Sequence, residues 1–280
     1  MEKIQDEIVS RALKKERQLV ELLSSIDEVV LVAFSGGADS TYLLSKAAQV
    51  IGRERVIAVT FDSELYLPGE TEAALALAQK LPVKHLIIST DPLADREFMA
   101  NTPERCYFCK HKIYSKLLGI AAEKGLALVL DGSNADDTAD YRPGMRALEE
   151  LGVRSPLLEV SLNKAEIREL SRLAGLPTWN KPAAACLASR FPYGDEITDH
   201  KLKQVAEAEC FLRQLGVKHD LRVRCHGNLA RIEVNKDDLD SILTWREKIV
   251  EKLRELGFVY ITLDLGGFES GSMNRLRTNL

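Results

Sequence analysis

The chain has 280 residues, 45% of them hydrophobic and 29% charged, a balance that builds a sizeable core and excludes a disordered or fibrous protein. A formal net charge of −4 argues against a nucleic-acid partner, because a phosphate backbone calls for a basic face. No apolar run reaches the roughly 18 residues of a membrane span, and the start, Met1-Glu2-Lys3-Ile4-Gln5-Asp6, is acidic where a signal peptide is basic, so a cytoplasmic protein with no membrane partner is expected.

Residues 3–25 read as an amphipathic helix, with Ile4, Ile8, Leu13, Leu19, Leu22 and Leu23 on or near one face. A βα alternation follows: strand 28–34, helix 39–51, strand 55–61, helix 69–80, strand 84–89, a helix after Cys106, strand 126–131, and helices 143–151 and 163–174. Such alternation predicts an α/β fold, a parallel sheet with helices on both faces. Ligands of open α/β sheets bind beyond the carboxyl ends of the strands, where Ser35–Ser40, Thr60–Ser63 and Asp131–Asp137 fall. After Pro177 and Pro182 the pattern changes to helix 198–215, strand 221–226, a tight turn at His226-Gly227-Asn228, strand 229–234, helix 236–256 and strand 258–264. This order predicts a smaller α+β domain, with domains at 1–177 and 178–280.

Ser35-Gly36-Gly37-Ala38-Asp39-Ser40 lies between the apolar run Val29–Phe34 and a helical segment. Adjacent glycines let the backbone approach a polyanion, and the positive end of the helix dipole faces the charge. The segment lacks the Gly-Lys-Ser/Thr ending of a Walker loop and the spacing of a dinucleotide-binding loop.

Five cysteines in a reducing compartment point to metals or chemistry and not to a disulfide framework. Cys106 and Cys109 form a C-x-x-C at a helix start, where two thiolates can grip one metal or cluster or act as a redox dithiol. Structural zinc would need scattered partners such as His111 and Cys186. Cys106, Cys109 and Cys186 together would suit an iron–sulfur cluster with one iron left open. Cys186 sits in a loop, Lys181–Gly194, whose small residues leave a ligand room to approach, whereas Cys210 and Cys225 read as core packing.

The loop resembles the SGGxDS signature of the PP-loop ATP pyrophosphatases. With NTPERCYFCK, LDGSNADD, DYRPGMRALEELGVRSPL, KPAAACLASRFPYG, RVRCHGNLARIEV and GFVYITLDLGGFESGSMN in order, the chain from about residue 28 to 274 resembles the LarE-type sulfur transferases. The resemblance implies an adenine nucleotide alpha hydrolase-like domain and an ATP-dependent, AMP- and pyrophosphate-forming sulfurtransferase. It would convert both carboxylates of pyridinium-3,5-biscarboxylic acid mononucleotide to thiocarboxylates, for the nickel-pincer nucleotide of lactate racemase. It also implies a homo-oligomer and a sulfide donor. Some members sacrifice the sulfur of one cysteine matching Cys186, and others carry a [4Fe-4S] cluster on three cysteines. The C-x-x-C points to the cluster-bearing branch, with Cys106, Cys109 and Cys186 as ligands.

The resemblance further implies that Ser35, Gly36, Gly37, Asp39 and Ser40 take the pyrophosphate end of ATP, with Asp39 orienting the loop or approaching Mg²⁺. Ala33, Phe34, Thr60 and Asp62 would lie at the adenosine, Gly132 near the ribose and α-phosphate, and Asp136 or Asp137 would hold Mg²⁺. The alternative for one of that acidic pair is charge placed at a helix N-terminus. Arg190, Arg222, Arg224 and Arg231 are the expected cationic forks for the anionic substrate, Ser189 and Tyr193 its neutral hydrogen-bonding groups, and Glu233 a partner for an arginine. Rival readings are a PP-loop tRNA thiolase, an amide-forming ligase, and a nucleotide and iron–sulfur sensor without catalysis.

Overall fold

The computed structural model describes residues 2–81, 83–126, 128–138, 141–182, 185–269 and 271–273. Ala127, Asp140, Ala183, Ala184, Ser270 and Asn274, which fall in the predicted strand 126–131 or in the motifs quoted above, lie outside the described residues, as does the side chain of Ile4. In chain order the elements are α1 (Glu2–Ser24), β1 (Val30–Ala33), α2 (Ala38–Val50), β2 (Val56–Asp62), α3 (Glu70–Ala78), β3 (Lys84–Ser89), α4 (Arg96–Met99), α5 (Arg105–Glu123), β4 (Leu128–Leu130), α6 (Pro143–Glu150), α7 (Pro156–Glu159), α8 (Lys164–Leu173), α9 (Asp199–Leu215), β5 (Leu221–His226), β6 (Leu229–Val234), α10 (Leu239–Thr244), α11 (Arg246–Glu255) and β7 (Tyr260–Leu263). No helix among the described residues is long and apolar enough to cross a membrane.

The chain divides into two compact units. The first comprises Met1–Asp62, Gly69–Thr90 and Cys106–Ala183. Its sheet is parallel in the order β3-β2-β1-β4, which is the α/β architecture the alternation predicts. Because side chains alternate along a strand, Val30, Val32, Ala58 and Leu130 enter one core with Leu43, Leu44, Ile167 and Leu170. Leu31, Val59 and Val129 enter the other with Tyr114, Leu117 and Leu148. With both faces covered, the loops at the strand ends are left to carry chemistry.

The second unit comprises Ser63–Pro68, Asp91–Arg105 and Ala184–Leu280. It holds a second small sheet, β5-β6-β7, antiparallel between β5 and β6 and parallel between β6 and β7. Thr198 caps α9 by accepting from the Lys201 N–H, and Gly216 ends that helix in the left-handed conformation. The segment expected to form one helix over 236–256 is a short 3₁₀ turn followed by α10 and α11, broken at Trp245, whose backbone leaves the helical region (φ −92°, ψ 8°). Buried Ile242, Ile249 and Leu253 keep helical spacing through the break, so the apolar period does not register it.

Candidate functional site

In the first unit, β1 feeds the Ser35–Gly37 loop and α2 leaves it. The peptide that opens the loop is held at both ends. Buried Thr60 donates its hydroxyl to the Phe34 carbonyl at 2.7 Å, while the Ser35 N–H donates to Ser40 Oγ at 3.3 Å. Thr60 Oγ1 has a second neighbour, His85 Nε2, at 2.8 Å. The single Thr60 proton goes to Phe34, so His85 Nε2–H is the donor of that bond. Burial lowers the pKa of His85 and keeps the ring neutral.

Gly36 has φ +67°, and a Cβ there would stand 3.0 Å from the Ala74 Cβ on α3. A Cβ on Gly132 would meet the Ser40 backbone at 3.2 Å. Both glycines bring main chain close enough that a side chain there would crowd its neighbour. Ser35 Oγ lies 3.1 Å from Ser40 Oγ. Gly37, the N-cap of α2, provides no side-chain cap, so no N-cap side chain covers the first-turn N–H groups of this 13-residue helix.

Asp39, on the first turn of α2, accepts from the Asn134 amide at 3.1 Å. Burial pushes its carboxyl up to about 6, and the Asp137 carboxylate adds to the shift against the opposing charges of Lys164 and Arg168. Asp137 is buried and accepts from the Asn134 N–H at 3.1 Å, with Arg142 at 2.9 Å and Lys164 at 3.4 Å from its Oδ1. Asp136 is exposed and accepts from the Lys164 N–H at 2.8 Å, at the start of α8. The structure thus separates two neighbours that the sequence left open. Asp136 serves a helix N-terminus, and Asp137 faces Asp39 through Asn134.

At the end of β4, Asp131 accepts from Tyr114 and Ser133, with Lys110 of α5 at 3.7 Å. Burial pushes its carboxyl up, but Lys110 and the donors outweigh that and hold it below the ordinary carboxylate range. Ala33 is half-buried, and exposed Asp62 accepts from Thr71 at 3.0 Å. Cys106 and Cys109 occupy the first turn of α5, one exposed and one half-buried, three positions apart and hence on one helix face. The Cβ position of Gly144 lies 3.3 Å from the Cys106 carbonyl, which brings α6 against this turn.

In the second unit, half-buried Cys186 is the N-cap of a 3₁₀ turn, Leu187–Arg190. Three arginines grip this turn by its carbonyls. Arg190 reaches back to the Ala185 carbonyl at 2.8 Å and the Cys186 carbonyl at 3.2 Å, Arg105 donates to Ala188 at 2.9 Å, and Arg224 to Ser189 at 2.9 Å. The Leu187 N–H goes to the Leu65 carbonyl at 2.8 Å. Arg190, expected to meet a substrate, is instead 1% exposed and forks onto Glu209 of α9 with two 2.8 Å bonds. Its charge is matched inside the protein and its contact with Cys186 is positional. Glu209, which also accepts from the Val223 N–H at 2.8 Å, has no sequence signal beyond a carboxylate on an amphipathic helix.

The antiparallel register sets Arg224 opposite Arg231 and Arg222 opposite Glu233 on one face of β5 and β6, as the period of two predicts. Glu233 is fully buried between Arg224 at 2.8 Å and Arg231 at 3.0 Å, and Asp264 pairs with Arg231 at 3.1 Å. Ser272 donates to Glu233 at 3.1 Å. Burial, with Arg190 and Arg224 beside it, brings Arg222 down to about 10, and its guanidinium lies 5.0 Å from the Phe268 ring centre. The Tyr193 ring centre lies 5.8 Å from the Arg105 guanidinium. Cys225 is buried, with its thiol pushed up to about 11 by desolvation, in keeping with core packing, and Cys210 is half-buried on α9. In neither unit do three described His, Cys, Asp or Glu side chains gather as a metal site.

A phosphate loop without a Walker lysine, set between β1 and α2 of a parallel sheet, defines a PP-loop enzyme, and the family model described as NAD synthase matches residues 11–135. The chain is 43% identical over 260 residues to pyridinium-3,5-bisthiocarboxylic acid mononucleotide synthase of Lactiplantibacillus plantarum, covering 93% of this chain and 94% of that one. It is 44% identical over 250 residues to an uncharacterized protein of Synechocystis sp., covering 89% and 92% of the two chains. A third relative, an uncharacterized protein of Methanocaldococcus jannaschii, is 31% identical over 260 residues, 91% and 98% of the two. The chain belongs to the LarE-type family of ATP-dependent sulfur transferases and is an enzyme.

Two variants test this geometry. Glu209→Ala leaves the Arg190 charge buried without its fork, and denaturant unfolding is expected to show a loss of about 3–5 kcal/mol. Asp39 holds its proton in the folded state between its ordinary pKa, near 4, and about 6, so it lowers stability progressively as pH rises through that window. Asp39→Asn is therefore expected to raise the melting temperature of the nucleotide-free, metal-free protein at pH 7.5 and to leave it nearly unchanged at pH 4, as thermal unfolding at the two pH values checks.

Proposed function

We propose that the enzyme adenylates the carboxylates of pyridinium-3,5-biscarboxylic acid mononucleotide and replaces each with a thiocarboxylate, in synthesis of the nickel-pincer nucleotide that serves lactate racemase. The observation that carries this reading is the 43% identity to a named synthase of the bisthiocarboxylic product across 93% of the chain. A substrate carboxylate oxygen attacks the α-phosphorus of ATP and pyrophosphate leaves. Sulfur then attacks the acyl carbon and AMP leaves, and the pair of steps repeats on the second carboxylate.

Residues 1–177 would run most of the ATP half and residues 178–280 would chiefly bind substrate and help deliver sulfur. The first-turn N–H groups of α2 and the Ser35 and Ser40 hydroxyls supply oriented donors for the leaving pyrophosphate. Ala33, Phe34, Thr60 and Asp62 flank the adenosine, and Gly132 passes the ribose and α-phosphate. Asp39 and Asp137 suit Mg²⁺, because they are two carboxylates bridged by Asn134, and desolvation and the Asp137 charge push the Asp39 carboxyl up. The ion would neutralise phosphate charge there. Arg222, Arg224 and Arg231 form the anion-binding face for the phosphorylated substrate, tuned by Glu233, with Ser189 and Tyr193 beside it. Arg190 holds the turn that presents Cys186.

Three thiols, Cys106 and Cys109 on one helix turn and Cys186 on another, are a donor set that suits a [4Fe-4S] cluster with one iron open. When bound, the cluster would supply a metal-held sulfide for the transfer, replenished by a sulfide donor. The chain's own part is to keep the thiols presented and the acyl-adenylate away from water. Following the family resemblance, the enzyme would act as a cytoplasmic homo-oligomer.

Anaerobic iron and labile-sulfide analysis with an absorption spectrum tests the cluster. Cys106→Ala is expected to lose bound iron and multiple turnover while still releasing pyrophosphate. Full thiolation by that variant would leave Cys186 itself as the sulfur donor, and thiolation of tRNA in place of the pyridinium substrate would favour the tRNA thiolase reading.

A further inference from the structure

The phosphate loop carries no lysine of its own, and the one ionisable side chain inside it is the acid Asp39. A polyphosphate at this loop would therefore meet hydroxyls and amides but no cation from the loop itself. The fold supplies one from 145 residues away. Lys181 donates its ammonium to the Gly36 carbonyl at 2.9 Å. Its own carbonyl accepts from Arg168 Nη2 of α8 at 2.9 Å, so the main chain at residue 181 is fixed while the four-carbon stem reaches the loop. All three residues belong to the first unit. Gly36 cannot easily shift in response, because its left-handed backbone (φ +67°) sits against Ala74.

An ammonium has three protons, and the Gly36 carbonyl takes one. A neutral carbonyl is a weaker partner for this charge than a phosphate oxygen, because the anion adds Coulomb attraction to the hydrogen bond. Resting on the adenylation reading above, we propose that Lys181 binds the β- and γ-phosphates of ATP and holds the pyrophosphate as it leaves, doing from a distant segment what the Walker lysine does from within its own loop. The bond to Gly36 keeps the ammonium at the loop before nucleotide arrives. A purely structural tie between residue 181 and the loop would make a different prediction, because it would affect every nucleotide alike.

Binding of ATP, pyrophosphate and AMP in the presence of Mg²⁺, measured by calorimetry, separates the two. Lys181→Gln keeps a donor for the Gly36 carbonyl and removes the charge, and it is expected to weaken ATP and pyrophosphate roughly 10- to 100-fold while AMP changes less than about threefold. Lys181→Arg is expected to recover part of the loss. The melting temperature of each nucleotide-free variant confirms that it is folded, and a Gln variant that fails to fold leaves the Arg variant to decide by its ATP-to-AMP affinity ratio. Unchanged ATP affinity in Lys181→Gln, or equal weakening of ATP and AMP, would overturn the assignment alone. An unaltered protein that binds neither ATP nor pyrophosphate would instead overturn the adenylation reading and this role with it.

Discussion

The first turn of α2 carries backbone N–H groups that no N-cap side chain covers, and the surrounding unit is arranged to keep that turn in place. A helix end of this kind carries partial positive charge in a fixed direction and attracts an anion without any side chain having to move. The hydrogen bonds that pin the Phe34–Ser35 peptide fix where the turn begins, and the two close-packed glycines fix how tightly the main chain wraps it. Helices on both faces of the sheet hold β1 rigid behind it. A donor array prepared in this way has little to reorganise when charge develops on a leaving group.

The second unit solves a different problem with buried charge. Arg190, Arg224 and Arg231 are each met by carboxylates, and Arg190, Arg224 and Arg105 spend further donors on main-chain carbonyls around Cys186. Charges in such surroundings are tolerable only when paired and hydrogen-bonded. The same pairing also limits which guanidiniums are available to a substrate, and it sets Arg190 apart from the face formed by Arg222, Arg224 and Arg231.

Much of this was legible in the residues. The βα alternation led to the parallel sheet because strands buried on both faces are apolar runs with turn residues at fixed places, and the SGGADS segment marked the loop. The parity of Arg222 and Arg224, and of Arg231 and Glu233, placed them on one face because a strand's side-chain period is two. Long-range partners were not legible. Glu209 looks like any solvated acid on α9 until Arg190 is seen on it, and nothing in Lys181 advertises Gly36. Asp136 and Asp137 are adjacent acids with opposite fates, one exposed at the start of α8 and one buried, and only tertiary packing distinguishes them. The break at Trp245 escaped because the apolar rhythm of α10 and α11 runs through it.

The grip on the turn after Cys186 acts through peptide oxygens, which every residue type carries. Such a mount is indifferent to the chemistry of the atom it displays. Side chains within the turn, Arg190 apart, can then change while the pedestal stays as it was.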